Sequence, residues 1–340
     1  MSKPLCAYVY SSNLSHLGDN PFDNEYVKSL DILYYSFSHI ESDATLTFAS
    51  EFDKYLDKII ALNKKVILSI NGAKNLSDVC FDDDLRKMLV ENLVQFITTH
   101  QMMGIDIDWE VPGSNEKPVE IDKLSLNHLV KELKERMPKG YLLTIAVHGT
   151  PLGDNKYDYP YLNTYIDYYN IMSYDANIDG VASHLCPLYK VSGLTRNYSI
   201  DEAYDKLIKN GMDREKMIIS CAFYGKVYQL NEEMSDGIVI GKKASYIESE
   251  YKSGTAHYHY IYRFYNKENG FELFHDSKTA ATYAYNHKTK VFVTFDDEIS
   301  IKKKIQYAKE KNTGIMFWDY GGDYQHILLK TLVEKFKLEV

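Results

Sequence analysis

Cysteine, tryptophan and basic charge are all scarce in this chain, and each scarcity excludes something. The 340 residues hold 4 Cys, at Cys6, Cys80, Cys186 and Cys221, with no C-x-x-C spacing. Neither a disulfide framework nor a cysteine-based zinc site is expected; the four read as buried thiols. Lys and Arg number 39 against 48 Asp and Glu, a formal net charge of −9. A nucleic-acid or anionic-membrane partner calls for the opposite balance, so neither is expected. No uncharged apolar run is long enough for a membrane span. The opening residues, Met1 to Tyr10, lack the apolar stretch of a secretory leader and run straight into a strand pattern. The expected location is the cytoplasm, or the exterior after a leader has been removed. Only 2 Trp are present against 30 Tyr. Tyr fills strands, and it also stacks on polar ligands with apolar faces.

What is present is a globular composition, 45% apolar and 26% charged, sufficient for a sizeable core. Strand-like apolar runs recur at Cys6–Tyr10, Ile32–His39, Val66–Ile70, Gly104–Glu110, Leu142–His148, Tyr168–Tyr174, Met217–Tyr224 and Gly314–Trp318. Most are apolar on both faces, as parallel strands covered by helices are. Between them lie helical spacings: Phe52, Leu56, Ile59, Ile60; Leu85, Leu89, Leu93, Phe96, Ile97; Leu126, Leu129, Val130, Leu133, Met137. Ser199-Ile200-Asp201-Glu202 predicts a capped helix ending near Gly211, and Ser300–Lys311 and His326–Lys337 predict the last two. The alternation predicts an α/β fold, a (β/α)₈ TIM barrel. An open doubly wound sheet fits less well, because Ser11-Ser12-Asn13-Leu14 follows the first strand instead of a glycine-rich phosphate turn. One connection is far too long for a βα loop, about seventy residues. It predicts a small α+β insertion between strand 7 and helix 7, spanning 226–299, with 1–225 and 300–340 forming the barrel. It carries Tyr246, Tyr251, Tyr258, Tyr260, Tyr262 and Tyr265 and a strand-like Lys290–Phe295.

The fourth strand carries the chemistry. In Gly104-Ile105-Asp106-Ile107-Asp108-Trp109-Glu110, strand alternation puts Asp106, Asp108 and Glu110 on one side and Ile105, Ile107 and Trp109 on the other. Three aligned carboxylates in a barrel lumen repel, so at least one should hold its proton near neutral pH and serve as a general acid. Glu110 is nearest the C-terminal rim, where barrel enzymes place reacting groups. The alternatives are solvated acids on an edge strand, or a divalent-metal site. The first leaves the Ile-Ile-Trp face without packing. The second needs Asp175 or Asp319 to complete its shell, since three groups from one strand cannot surround an ion. His148 ends the fifth strand as a pocket histidine. His257 and His259 form an H-x-H with no third ligand evident, so no metal and no cofactor are expected.

The segment Ile105–Glu110 resembles the D-x-x-D-x-D-x-E signature of glycoside hydrolase family 18, the chitinases and their relatives, with Met103 in place of the first Asp. Leu68–Gly72 is similar to that family's S-x-G-G strand with Asn71 for a Gly; Ile171–Asp175 matches M-x-Y-D. His184–Tyr189 resembles the loop that follows. Ala222–Lys226 is similar to P-F-Y-G-R, with Ala222 for Pro and Lys226 for Arg, and Met316–Asp319 to the last strand with its floor Trp. The resemblance implies a retaining hydrolase cleaving β-1,4 bonds between N-acetylglucosamine units of chitin or chito-oligosaccharides, through an oxazolinium ion formed by the sugar's own acetamide. It assigns catalytic roles to Glu110 (acid/base), Asp108 (acetamide N–H acceptor), Asp106 (partner of Asp108) and Tyr174 (donor to the acetamide oxygen). It implies substrate contacts at Tyr8, Phe37, Ser69, Trp109, Met172, Asp175, Tyr224 and Trp318. The other readings are a sugar-binding lectin and an endo-N-acetylglucosaminidase of N-glycans or peptidoglycan. Glu110 speaks against the first; the Met172, Tyr174, Asp175 set and the insertion speak against the second. A monomer is expected.

Overall fold

The computed structural model describes residues 3–113, 116–194, 196–233 and 239–338. Its strands are β1 (Leu5–Tyr10), β2 (Ile32–Ile40), β3 (Leu46–Phe48), β4 (Lys65–Asn71), β5 (Gly104–Asp108), β6 (Leu142–His148), β7 (Tyr168–Met172), β8 (Met217–Ala222), β9 (Tyr224–Leu230), β10 (Ala244–Tyr246), β11 (Thr255–His257), β12 (Glu272–Asp276), β13 (Ala281–Asn286), β14 (Val291–Phe295) and β15 (Gly314–Trp318). The helices are α1 (Phe52–Ile60), α2 (Ala73–Phe81), α3 (Asp83–Thr99), α4 (Val119–Arg136), α5 (Tyr159–Leu162), α6 (Ile200–Lys209), α7 (Tyr258–Phe264), α8 (Glu298–Lys311) and α9 (Ile327–Leu332). Hydrogen bonding runs in the order β1-β15-β8-β7-β6-β5-β4-β2, and β1 also pairs with β2, which closes the ring into a (β/α)₈ barrel. None of the described helices is long and apolar enough to cross a membrane.

By its contacts the chain divides into two compact units, Met1–Met172 with Leu207–Ile218, and Ser173–Lys206 with Ile219–Val340. In the first, β1, β2, β4, β5, β6, β7 and the start of β8 pair in parallel. Register matters for the chemistry: Ser69 lies opposite Asp106, and Asp106 opposite Thr144. Their side chains therefore share one row on one face. Gly104 permits the β5–β6 approach, because a Cβ there would sit 2.1 Å from the Leu142 carbonyl oxygen. The helices bury the predicted stripes: Phe52, Leu56 and Ile59 of α1, Leu89, Leu93 and Ile97 of α3, and Leu126, Leu129, Val130 and Leu133 of α4. Asp82 caps α3 through the Asp84 and Leu85 N–H groups.

In the second unit a six-stranded antiparallel sheet forms, in the order β10-β9-β14-β13-β12 with β11 on β9. Its core holds Tyr228, Leu230, Tyr283, Tyr285 and Phe292, with Ala182 and Val239. Of the tyrosines noted in this stretch, Tyr258 is buried while Tyr251 and Tyr262 are exposed.

Several boundaries differ from the sequence expectation. The fourth barrel strand ends at Asp108, not Glu110, and the sixth at Met172, not Tyr174. The seventh ends at Ala222; Tyr224 opens the antiparallel sheet instead. Phe223 marks the switch, its N–H donating to the Trp318 carbonyl while its own carbonyl accepts from Tyr258. The penultimate helix starts two residues early, at Glu298, because Asp297 and Ser300 form a reciprocal cap. The last splits into α9 and a wider turn over Val333–Leu338. Periodicity did not reveal α2, α5 or α7.

Candidate active site

Asp106 is fully buried on β5, in the row set by register. Its carboxylate accepts four hydrogen bonds. Thr144 Oγ1 donates at 2.6 Å and Asn170 Nδ2 at 3.2 Å to Oδ1, and Tyr8 OH at 2.8 Å and Ser69 Oγ at 2.9 Å to Oδ2. Asn170 also donates to the Tyr8 hydroxyl at 3.0 Å, and the Tyr8 and Tyr34 rings stack 4.7 Å apart. Burial pushes the Asp106 carboxyl up from its usual range, and the four donors pull it part of the way back.

Asp108, two residues on, is also buried but has no such cradle. Its Oδ1 has no hydrogen-bond partner among the described residues. Burial first, then the neighbouring Glu110 and Asp106 carboxylates, hold its pKa well above the ordinary carboxylate value. The surroundings of Asp108 thus favour its protonated form. Glu110 lies just past the strand end with its side chain 48% exposed, and His148 Nε2 stands 3.3 Å from its Oε2. Tyr157, buried near Asp108 and Glu110, has its hydroxyl 3.5 Å from the Trp109 carbonyl. Trp109 itself is fully buried, its indole N–H without a partner among the described residues. Phe37 packs against Tyr10, with ring centroids 5.8 Å apart, and Met172 is buried at the end of β7.

The second unit holds the remaining sequence-predicted residues. Tyr174 and Tyr224 meet edge to face at 5.9 Å, and Asp175 next to them adopts φ 53°. Burial, then Asp175 and Tyr174, push the Tyr224 hydroxyl well above its usual pKa. Trp318 ends β15 and is partly exposed. The structure thus brings Tyr8, Ser69 and Asp106 together in one unit, and Tyr174, Asp175 and Tyr224 in the other.

Sequence reasoning missed Thr144 and Asn170. Each is a polar residue on the inward face of an apolar strand run, which was the available signal. It also found no third group near the H-x-H pair. The fold supplies one, since Glu250 lies within ion-pair distance of both His257 and His259.

The sequence model of "Glycosyl hydrolases family 18" matches residues 6–323. The chain is 24% identical over 304 residues to Chitinase A1 of Niallia circulans, covering 82% of this chain and 43% of that protein. It is 29% identical over 282 residues to Probable chitinase 2 of Drosophila melanogaster, covering 76% and 56%. It thus spans about half the length of these curated relatives. The crystal structure of Ostrinia furnacalis Group IV chitinase superposes with a TM-score of 0.87 at 22% identity, covering 98% of this chain and 100% of that one. A match over nearly the whole chain, with the same fold and the acidic strand in place, makes this protein a member of glycosyl hydrolase family 18.

Proposed function

We propose that the chain is a chitinase, a retaining hydrolase of β-1,4 bonds between N-acetylglucosamine units, working through the substrate's own acetamide. The observation that carries this reading is the pairing of an exposed Glu110 with a buried, proton-holding Asp108 whose Oδ1 lacks a partner. A buried acceptor left unpaired costs about 1–3 kcal/mol, and an amide N–H arriving there removes that cost. Chitin and its oligomers carry such an N–H on every sugar. The chitinase names of the relatives support the same substrate.

In this mechanism the proton held at Asp108 passes to Glu110, its hydrogen-bonded neighbour, and Glu110 protonates the leaving oxygen while the acetamide oxygen attacks the anomeric carbon. Asp108, now a carboxylate, accepts the acetamide N–H and balances the positive charge of the oxazolinium ion. Asp106, held by its four donors, sets the charge beneath Asp108. Glu110, now a carboxylate, then takes a proton from the water that opens the ring. Asp108 sits deeper than Glu110 and is poorly placed to bond the anomeric carbon itself. The roles of Tyr174 on the acetamide oxygen, of Asp175 and Tyr224 on the sugar and of Trp318 as an apolar floor rest on the family motifs. The division of the chain into a barrel, 1–225 with 300–340, and an insertion, 226–299, rests on the length of the connection after the seventh strand, and the insertion's role as a wall of the cleft on the family.

The test is product analysis on chitotetraose and chitohexaose with the anomers followed by NMR. The β-anomer should appear first, a thiazoline mimic of the oxazolinium should inhibit competitively, and substrates lacking the acetyl group on the reacting sugar should survive. Initial α-anomer, or a covalent glycosyl–Asp108 adduct, overturns the mechanism. An absence of any cleavage overturns the function.

A further inference from the structure

We propose that Glu250, His257 and His259 form a binding site for a divalent transition-metal ion of the zinc class, separate from the carboxylate strand. The three side chains come from two segments. Glu250 lies in the turn that follows β10. His257 ends β11, and His259 lies in the first turn of α7. A spacing of two residues across a strand end turns both imidazoles to the same side, and their rings lie 5.5 Å apart at 23°. The turn then folds Glu250 back onto them.

Two of the three donor separations are those an ion needs. Glu250 Oε1 lies 3.3 Å from His257 Nδ1 and 3.5 Å from His259 Nε2. One ligand atom from each of the three residues falls within 4.8 Å of the others. A tetrahedral ion with bonds of about 2.0–2.1 Å spaces its donors about 3.3–3.4 Å apart. The two imidazole nitrogens lie within 4.8 Å, and drawing them together closes the trio around zinc, with a fourth position open to water. The supporting shell is also built. Glu250 Oε2 accepts the His257 backbone N–H at 2.6 Å, which orients the carboxylate and leaves Oε1 for the ion. The three side chains are 11%, 12% and 18% exposed for His257, His259 and Glu250, shielded yet reachable. Two imidazoles and one carboxylate suit zinc better than calcium or magnesium, which favour all-oxygen shells.

The placement suggests what the ion does. His257 pairs in register with Tyr224 across β11 and β9, and its ring lies so near Gly322 that a Cβ there would stand 3.3 Å from His257 Cδ2. Bound metal therefore ties the turn at Glu250 to the strand that carries Tyr224 and to the segment after Trp318. It acts as a structural clip, not as a participant in hydrolysis.

The experiment uses the full chain, stripped with chelator and then titrated with Zn²⁺ by calorimetry. The expected result is one saturable site per chain, with a melting temperature that rises on Zn²⁺ addition and falls back with EDTA. Co²⁺ in its place should give the intense visible absorption of a four-coordinate ion with imidazole ligands. Glu250→Gln and His259→Ala should each weaken Zn²⁺ binding at least about tenfold and abolish the Co²⁺ band, while His275→Ala, a control outside the trio, leaves both unchanged. If a variant fails to fold, the wild-type stoichiometry and the Co²⁺ spectrum decide alone. Absence of a stoichiometric site in the wild type overturns the proposal. So does a Co²⁺ spectrum of a six-coordinate aqua type, or unaltered binding in both folded variants.

Discussion

Two carboxylates two residues apart on one strand end up in opposite conditions. Asp106 has four donors and Asp108 has an unpartnered oxygen, although both are buried. The difference lies in neighbours from β1, β4, β6 and β7, not in the residues themselves. It yields a prediction with a definite sign. Folding raises the Asp108 pKa above its usual 3.8. Below that value both native and unfolded chains hold the proton and the contribution to stability is complete. As pH rises through the folded pKa that contribution is lost, because the unfolded chain gives up its proton more readily. Asp108→Asn removes the dependence. Its melting temperature should exceed the wild type's near pH 7, and the gap should close as the pH falls to about 3; a gap that widens in acid contradicts the assignment. Glu110→Gln keeps size and hydrogen bonding but has no proton to give. It should lower kcat about 10²–10⁴-fold or more while calorimetry shows chitotetraose binding intact. A variant keeping most of its kcat removes Glu110 from the role of acid.

At the scale of elements, α8 carries an ion pair inside the core. Lys304 is fully buried and bonds Asp296, which also accepts the Ala222 N–H at 2.9 Å and the Ser300 hydroxyl at 2.9 Å. Burial alone would lower the Lys304 pKa; Asp296 beside it more than offsets this and holds the ammonium charged. Ala222 stands where the family motif has Pro, and a proline has no N–H to offer Asp296. Lys304→Met leaves the buried Asp296 without its counter-charge and should cost about 3–5 kcal/mol by urea denaturation. Lys304→Met with Asp296→Leu should lose much less, because it removes both charges together. Apolar spacing and capping residues made α1, α3, α4 and α6 legible in advance. The Ser199 hydroxyl does accept the Glu202 N–H at 3.2 Å, although the Glu202 carboxylate takes the Ser199 hydroxyl, not its backbone N–H. α2 and α7 were not legible, since α2 opens without a side-chain cap and α7 has aromatics on several faces.

For the whole molecule, the proposed insertion at 226–299 contains Asp296 and the first two residues of α8, while the rest of α8 contains Lys304. Replacing 226–299 by a short linker should therefore give an insoluble chain by itself. The same excision with Lys304→Met should give more soluble protein, judged by yield and by a single unfolding transition. Equal solubility of the two contradicts this coupling. Periodicity and alternation were enough to determine a parallel (β/α)₈ barrel, an interruption after the seventh strand and a row of acids on the fourth, because these follow from which residues share a face. Local pattern also singled out Glu110, Asp108 and Asp106 as candidates. What tertiary structure decided is which groups surround them. Thr144, Asn170 and His148 reach the acids from other strands, and Glu250 reaches the two histidines across a turn. Those meetings depend on strand register and loop closure, which bring distant residues within hydrogen-bond range and leave no periodic trace along the chain.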